Sequence, residues 1–149
     1  MSDAFLVVLI ACCVLFALAL ALAVFVFFCA RRAEQRLKTF LKGETILLRA
    51  NGAHFSGRAS QSVRLRGHGV LALTATRLVF VLWTPRVMIE LPLSNVTGTR
   101  LEGSLLGQHR LSLTVDFEDR AGKKDSCEWS SVPAEEWIVR VEELRRKRN

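Results

Sequence analysis

The sequence predicts a mainly β domain behind one N-terminal membrane-spanning helix: a barrel of about seven antiparallel strands capped by a C-terminal helix. Three observations predict it. Residues 4–30 contain no charged side chain and no Pro, Gly or Asn. Between residues 44 and 130, short apolar or alternating runs follow one another, punctuated by Gly, Pro and polar clusters. After Pro133 the apolar period becomes that of a helix. Strands this short and numerous must curl into a barrel or a sandwich, and one amphipathic helix plugs the open end.

The opening run is apolar all round, which suits a membrane span and not a one-faced surface helix. Its 27 residues make a helix of about 40 Å against a hydrocarbon core of about 30 Å. A cleaved signal peptide would need a basic start and a much shorter apolar stretch. Here the start is Met-Ser-Asp, and the run ends at Arg31-Arg32 as a stop. Leu9-Ile10-Ala11-Cys12 resembles a lipoprotein box but sits too early, with more apolar sequence after it.

The flank sets the expected orientation. All 21 Lys and Arg follow residue 30, against 13 of the 14 acids, a net charge of about +8. Arg31, Arg32, Arg36, Lys38 and Lys42 come directly after the span. Basic residues stay cytoplasmic, so the short N-terminus should face out and the domain the cytoplasm. Cys12, Cys13 and Cys29 lie in or at the edge of the span, which leaves Cys127 as the one cysteine of the soluble part. One thiol forms no internal disulfide, which suits a reducing compartment. Asn95-Val96-Thr97 fits a glycosylation sequon, a weaker signal than the charge asymmetry. Cys29 reads as a small apolar residue at the lipid edge, where acylation is chemically open.

Residues 31–43 read as a basic juxtamembrane helix or linker. Leu37, Phe40 and Leu41 follow helical spacing, and Gly43 is a helix stop. This stretch either lies on the membrane surface with its basic residues toward anionic lipid or is a stop-transfer flank without a recognition role. The soluble domain is expected over residues 44–147. Residues 44–49 form a short strand, residues 51–62 a loop or irregular hairpin, and residues 63–66 a strand of period two. Residues 69–74 and 77–83 are apolar strands joined by a tight connection. Residues 87–91 follow, with Pro92 marking an end or an edge. Residues 96–101 are a further strand and residues 103–108 a loop. Residues 111–118 alternate cleanly, and a turn returns the chain through residues 125–129. In the final helix Pro133 suits the first position, Glu135 and Glu136 the first turn, and Arg145 to Arg148 the end. Ala134, Trp137, Ile138, Val141 and Leu144 make its apolar stripe.

Gly69-Val70-Leu71-Ala72-Leu73-Thr74-Ala75-Thr76-Arg77-Leu78-Val79-Phe80 resembles the pattern G-x-L-x-L-T-x-x-R-L-x-F of the pleckstrin-homology-like superfamily, in its GRAM and bacterial PH branches. Ile89-Glu90-Leu91-Pro92-Leu93-Ser94-Asn95-Val96 is similar to the turn that follows in that family. The resemblance implies two near-orthogonal antiparallel sheets capped by the helix. It places Leu71, Leu73, Leu78 and Phe80 in the core and makes Thr74 and Arg77 shape a turn. It also implies binding, of lipid headgroups, peptides or protein surfaces.

No residue pattern supports catalysis. There is no nucleophile elbow, phosphate-binding Gly-Lys-Ser/Thr loop or H-E-x-x-H. His54, His68 and His109 read as isolated surface residues, with no metal-ligand spacing around them. Asp116, Glu118 and Asp119 read as a solvated acidic face, and no cofactor is expected. The ligand-like candidates are Arg58, Arg64 and Arg66, with His68 beside them: period two sets the last two arginines on one face, and guanidinium forks suit phosphate. The alternative is a charged outer face opposite Val63 and Leu65. Scattered positive charge without interleaved aromatics argues against nucleic acid. The sequence thus points to a membrane-anchored binding module that contacts a protein partner or scaffolds at the cytoplasmic face, with an anionic-lipid reader as the alternative.

Overall fold

The computed structural model describes residues 3–60, 65–103, 111–119 and 121–147. Helix α1 (Asp3–Phe40) is followed by β1 (Ile46–Arg58), β2 (Gly67–Thr74), β3 (Arg77–Leu82) and β4 (Met88–Pro92). Then come β5 (Val96–Gly103), β6 (Leu111–Glu118), β7 (Lys124–Ser130) and helix α2 (Ala134–Arg146). The strands form one antiparallel sheet in the order β4-β3-β2-β1-β7-β6-β5. The two sheets implied by the family resemblance are therefore one hydrogen-bonded sheet whose halves share β1. Residues 46–55 of β1 pair with β2, and His54 to Arg58 pair with β7.

β1 corrects the reading of residues 44–62 as a short strand plus a loop. The glycine-rich stretch stays in the sheet because its extra residues enter as bulges between Asn51 and Ala53 and between Phe55 and Gly57. Gly52 and Gly57 have φ of 76° and 123°, values that side chains with a Cβ rarely adopt. A bulged strand bends and twists without ending, which lets one strand serve both halves. Only Leu65 and Arg66 of the expected strand over residues 63–66 fall among the described residues. β1 takes the place beside β2, and Leu65 and Arg66 precede β2 without belonging to any strand. Val63 and Arg64 lie outside the described residues.

The main core lies between the inner face of the sheet and α2. Leu71, Leu73, Leu78 and Phe80 are fully buried there, with Phe55, Leu113, Val115 and Trp129. Phe55, Phe80 and Trp129 make a three-ring cluster with centroids 5.5–6.1 Å apart. α2 adds Ala134, Trp137 and Val141, with Ile138 and Leu144 at the margin, as its apolar stripe predicts. Pro133 caps the helix one residue before its expected position. Gly69, the first residue of the family-like motif, has a steric reason. A Cβ there would stand 2.3 Å from the Val81 carbonyl and within 3 Å of the Phe80 ring.

β2 and β3 are buried on both faces. Their outward residues Val70, Ala72, Val79 and Val81 form a second cluster with Ala33 and Leu37 of α1 and Leu41 just after it, with Phe40, Ile46 and Trp83 at its edge. A strand pair covered on both sides reads as a continuous apolar run, which is what residues 69–74 and 78–82 are. The apolar stripe of the basic flank therefore lies on the sheet. Leu37 is fully buried and Ala33 2% exposed, whereas every described side chain of residues 7–28 is exposed. The 18-residue window of highest mean hydropathy in this helix, 3.2, has none of its residues buried. α1 ends at Phe40, and Gly43 turns the chain away with φ of 93°.

A fragment starting at residue 31 is expected to unfold in one cooperative transition. One starting at residue 43 exposes Val70, Ala72, Val79 and Val81 and should aggregate or melt at lower temperature. In the longer fragment Leu37→Ala should cost about 2–5 kcal/mol by denaturant titration. Equal stability of the two fragments would show that the helix contributes nothing to the fold.

Candidate functional site

Three clamps fix α1 on the sheet. Arg49 of β1 pairs with Glu34 at 2.9 Å, and Lys38 reaches the same carboxylate at 3.1 Å. Arg77 of β3 bridges Glu44, in the turn after α1, and Glu90 of β4, the latter at 2.7 Å, while its guanidinium lies 4.7 Å from the centre of the Phe40 ring. Nearer the apolar part of α1 the Thr84 hydroxyl lies 3.9 Å from Cys29 Sγ. The Arg77 hydrogen bond holds the Glu44 carboxyl below the usual value of 4.5 and raises the guanidinium's own pKa. Thr74 shapes the β2–β3 turn: its hydroxyl accepts from the Thr76 and Arg77 amides at 3.3 and 3.2 Å and donates to the Arg77 carbonyl.

Of the expected phosphate set, Arg58 and Arg66 meet at a small polar pocket of about 240 Å³. Arg66 Nε donates to the Ser56 carbonyl at 3.2 Å, and the Arg58 guanidinium lies 5.4 Å from the centre of the Phe117 ring. Glu102 and Glu128 line the same pocket, so its charges are mixed. Arg64 lies outside the described residues. Asp125, near Arg58, accepts from the Ser60 amide and hydroxyl at 3.0 and 2.6 Å. Burial pushes its carboxyl up, but these bonds and that of the Ser126 amide outweigh it and leave its pKa lowered.

The larger concavity was not expected. It runs along one flank of α1, encloses about 1000 Å³, and is lined by Arg32, Gln35, Arg36, Thr39 and Phe40 of the helix. Val81 of β3 and Arg86, Val87 and Met88 at the start of β4 form the opposite wall. Arg32, Arg36 and Arg86 have no carboxylate partner among the described residues. The rest of the basic flank is placed differently: Arg31 stacks on Phe27 at 4.7 Å, Lys38 pairs with Glu34, and Lys42 is exposed. The sequence signal for Arg32 and Arg36 was their place after the span. Arg86 carried none, because only the β3–β4 connection brings it to the helix.

One smaller expectation is corrected. His54 and His68 are not isolated: they are cross-strand partners with rings 4.9 Å apart, and His68 continues to Trp83 at 5.9 Å. His109 lies outside the described residues. Two residues of the acidic set hold exposed hydrogen bonds. Asp116 takes two bonds from Arg100 at 2.7 and 2.8 Å, and Asp119 Oδ1 accepts from the Ala121 and Lys123 amides. Cys127 is fully buried, and burial pushes its thiol up to about 12. Among the described residues no three His, Cys, Asp or Glu side chains gather as a metal site.

A bent seven-stranded antiparallel sheet closed by a C-terminal helix is the pleckstrin-homology-like architecture. The chain is similar to the Vps36 N-terminal PH domain, with a TM-score of 0.55 and 13% identity over 71% of this chain and 82% of that one. It is also similar to a chain of the 8S snRNP assembly intermediate (TM-score 0.50, 11% identity, 68% and 80% covered). The C-terminal domain of an unknown protein from Leishmania infantum matches with a TM-score of 0.51 and 10% identity, over 76% and 96%. Identities this low carry the fold alone. No family model and no curated protein matches the sequence.

In the fragment starting at residue 31, whose one cysteine is Cys127, iodoacetamide at pH 8 should label nothing until the domain unfolds, read by mass spectrometry. Prompt labelling of folded protein would contradict the buried thiol. The Glu44 carboxylate favours the folded state fully above its ordinary pKa of 4.5, and this contribution disappears as pH falls through the lower folded value. The melting midpoint should therefore drop below pH 4.5, and Glu44→Gln should flatten part of that drop. An unchanged pH profile in the variant would remove the clamp's role.

Proposed function

We propose that the chain is a membrane-tethered binding module of pleckstrin-homology-like fold without catalytic activity, held by α1 at the cytoplasmic face, where it contacts a protein partner. The observation that carries this reading is the continuity of α1. The helix that is exposed and apolar through residue 28 becomes part of the domain core by Ala33. A helix apolar on every side finds a matching solvent only in hydrocarbon. Its docked end then gives the domain one pose against the bilayer instead of a loose tether. The basic flank supports an outward N-terminus and a cytoplasmic domain. The motif around Thr74 and Arg77 supports the GRAM or bacterial PH branch.

A protein partner is favoured over a phosphate ligand at the Arg58 and Arg66 pocket because Glu102 and Glu128 share it. A phosphate there would face two carboxylates, whereas a polar protein segment can satisfy both signs.

In sealed vesicles with the cytoplasmic face outward, the full chain should stay in the pellet after alkaline extraction, and added protease should remove the domain. Release into the supernatant would end the anchor reading, and protection of the domain would reverse the orientation. Photo-crosslinking from position 66 in native membranes should trap a protein, and Glu102→Lys with Glu128→Lys should reduce that yield.

A further inference from the structure

We propose that the groove between α1 and the start of β4 is a headgroup site for an anionic phospholipid, clamped where the helix leaves the bilayer. Its three guanidiniums come from two parts of the chain: Arg32 and Arg36 one turn apart on the helix, and Arg86 from the β3–β4 connection. Five arginines elsewhere, Arg49, Arg77, Arg100, Arg140 and Arg145, each hold a carboxylate. Among the described residues the groove's arginines hold none, and no carboxylate lines it. Three arginines lining one groove without a counter-charge match a phosphate group.

The rest of the lining selects a lipid over a soluble phosphate. Phe40, Val81, Val87 and Met88 supply apolar wall beside the guanidiniums, and Met88 is 43% exposed. Position agrees, given the reading of α1 as a membrane span. Arg32 lies two residues past the apolar run, about 3 Å along the axis. The contact of Thr84 with Cys29 sets the β3–β4 connection level with the last apolar turn. Arg86 therefore stands at headgroup depth, opposite Arg32 and Arg36. A bound lipid would keep its acyl chains in the bilayer and its phosphate between helix and domain. The site is separate from the Arg58 and Arg66 pocket.

The test uses the full chain in nanodiscs of phosphatidylcholine with or without phosphatidic acid or phosphatidylserine, and reads retained lipid by native mass spectrometry. The unaltered protein should retain anionic lipid over phosphatidylcholine. Arg86→Gln, an exposed residue with no partner to lose, should cut that preference by about tenfold, the scale of a hydrogen bond to a charged group. Arg58→Gln with Arg66→Gln should leave it unchanged, and Arg86→Gln should keep the parent's melting midpoint. A preference insensitive to Arg86→Gln would reduce the effect to the charge of the helix flank and overturn the site. Displacement by millimolar glycerol phosphate would reassign it to a soluble phosphate. A chain that enters no nanodisc refutes the membrane span, whereas one that enters without lipid preference refutes the groove alone.

Discussion

The structure depends on covering both faces of β2 and β3. Their inward residues are served by the core under α2, but Val70, Ala72, Val79 and Val81 project the other way. Four apolar side chains on an open sheet face would be a standing liability in water. The last turns of α1 and the turn after it cover them with Ala33, Leu37 and Leu41. One helix is thereby given two environments in succession, apolar surface all round and then a single buried stripe. The position of the domain follows from that stripe, not from a linker.

Ion pairs refine this packing without driving it. Exposed pairs of the kind made by Arg49 and Glu34 contribute little individually. Their value lies in direction. Glu34 lies on the helix and Glu44 just after it, and each is tied to a different strand, so the two pairs together oppose sliding and rolling of the helix on the sheet. Arg77 does the most, because it joins the turn after α1, β3, β4 and the Phe40 ring at one point. A residue that belongs to a fold motif thus acts as the joint between the domain and its helix.

The distribution of unmatched charge follows. Helix residues toward β1 find partners there, while those on the opposite flank face the start of β4, which offers Arg86 and no acid. Positive charge accumulates on the flank nearest the apolar part of α1, and the pocket at the other end of β1 carries both signs. These two surfaces differ in chemistry because the fold sorts the arginines, not because the composition distinguishes them.

The sequence by itself determined the apolar helix, the succession of strands from residue 67 onward, the turn at Thr74 and the stripe of α2. Each rests on neighbours a few residues apart, where periodicity and turn chemistry act directly. It concealed the path of β1, because Gly52 and Gly57 signal a loop locally, and only pairing with β2 and β7 makes them bulges. It also concealed the pairing of His54 with His68 and the approach of Arg86 to Arg32 and Arg36. Those meetings join residues separated by 14 to more than 50 positions, so register and helix docking decide them. The same limit explains the candidate site. Basic residues after an apolar run are legible in one dimension, but whether they face solvent, a carboxylate or one another is settled only by which face of the helix the sheet buries.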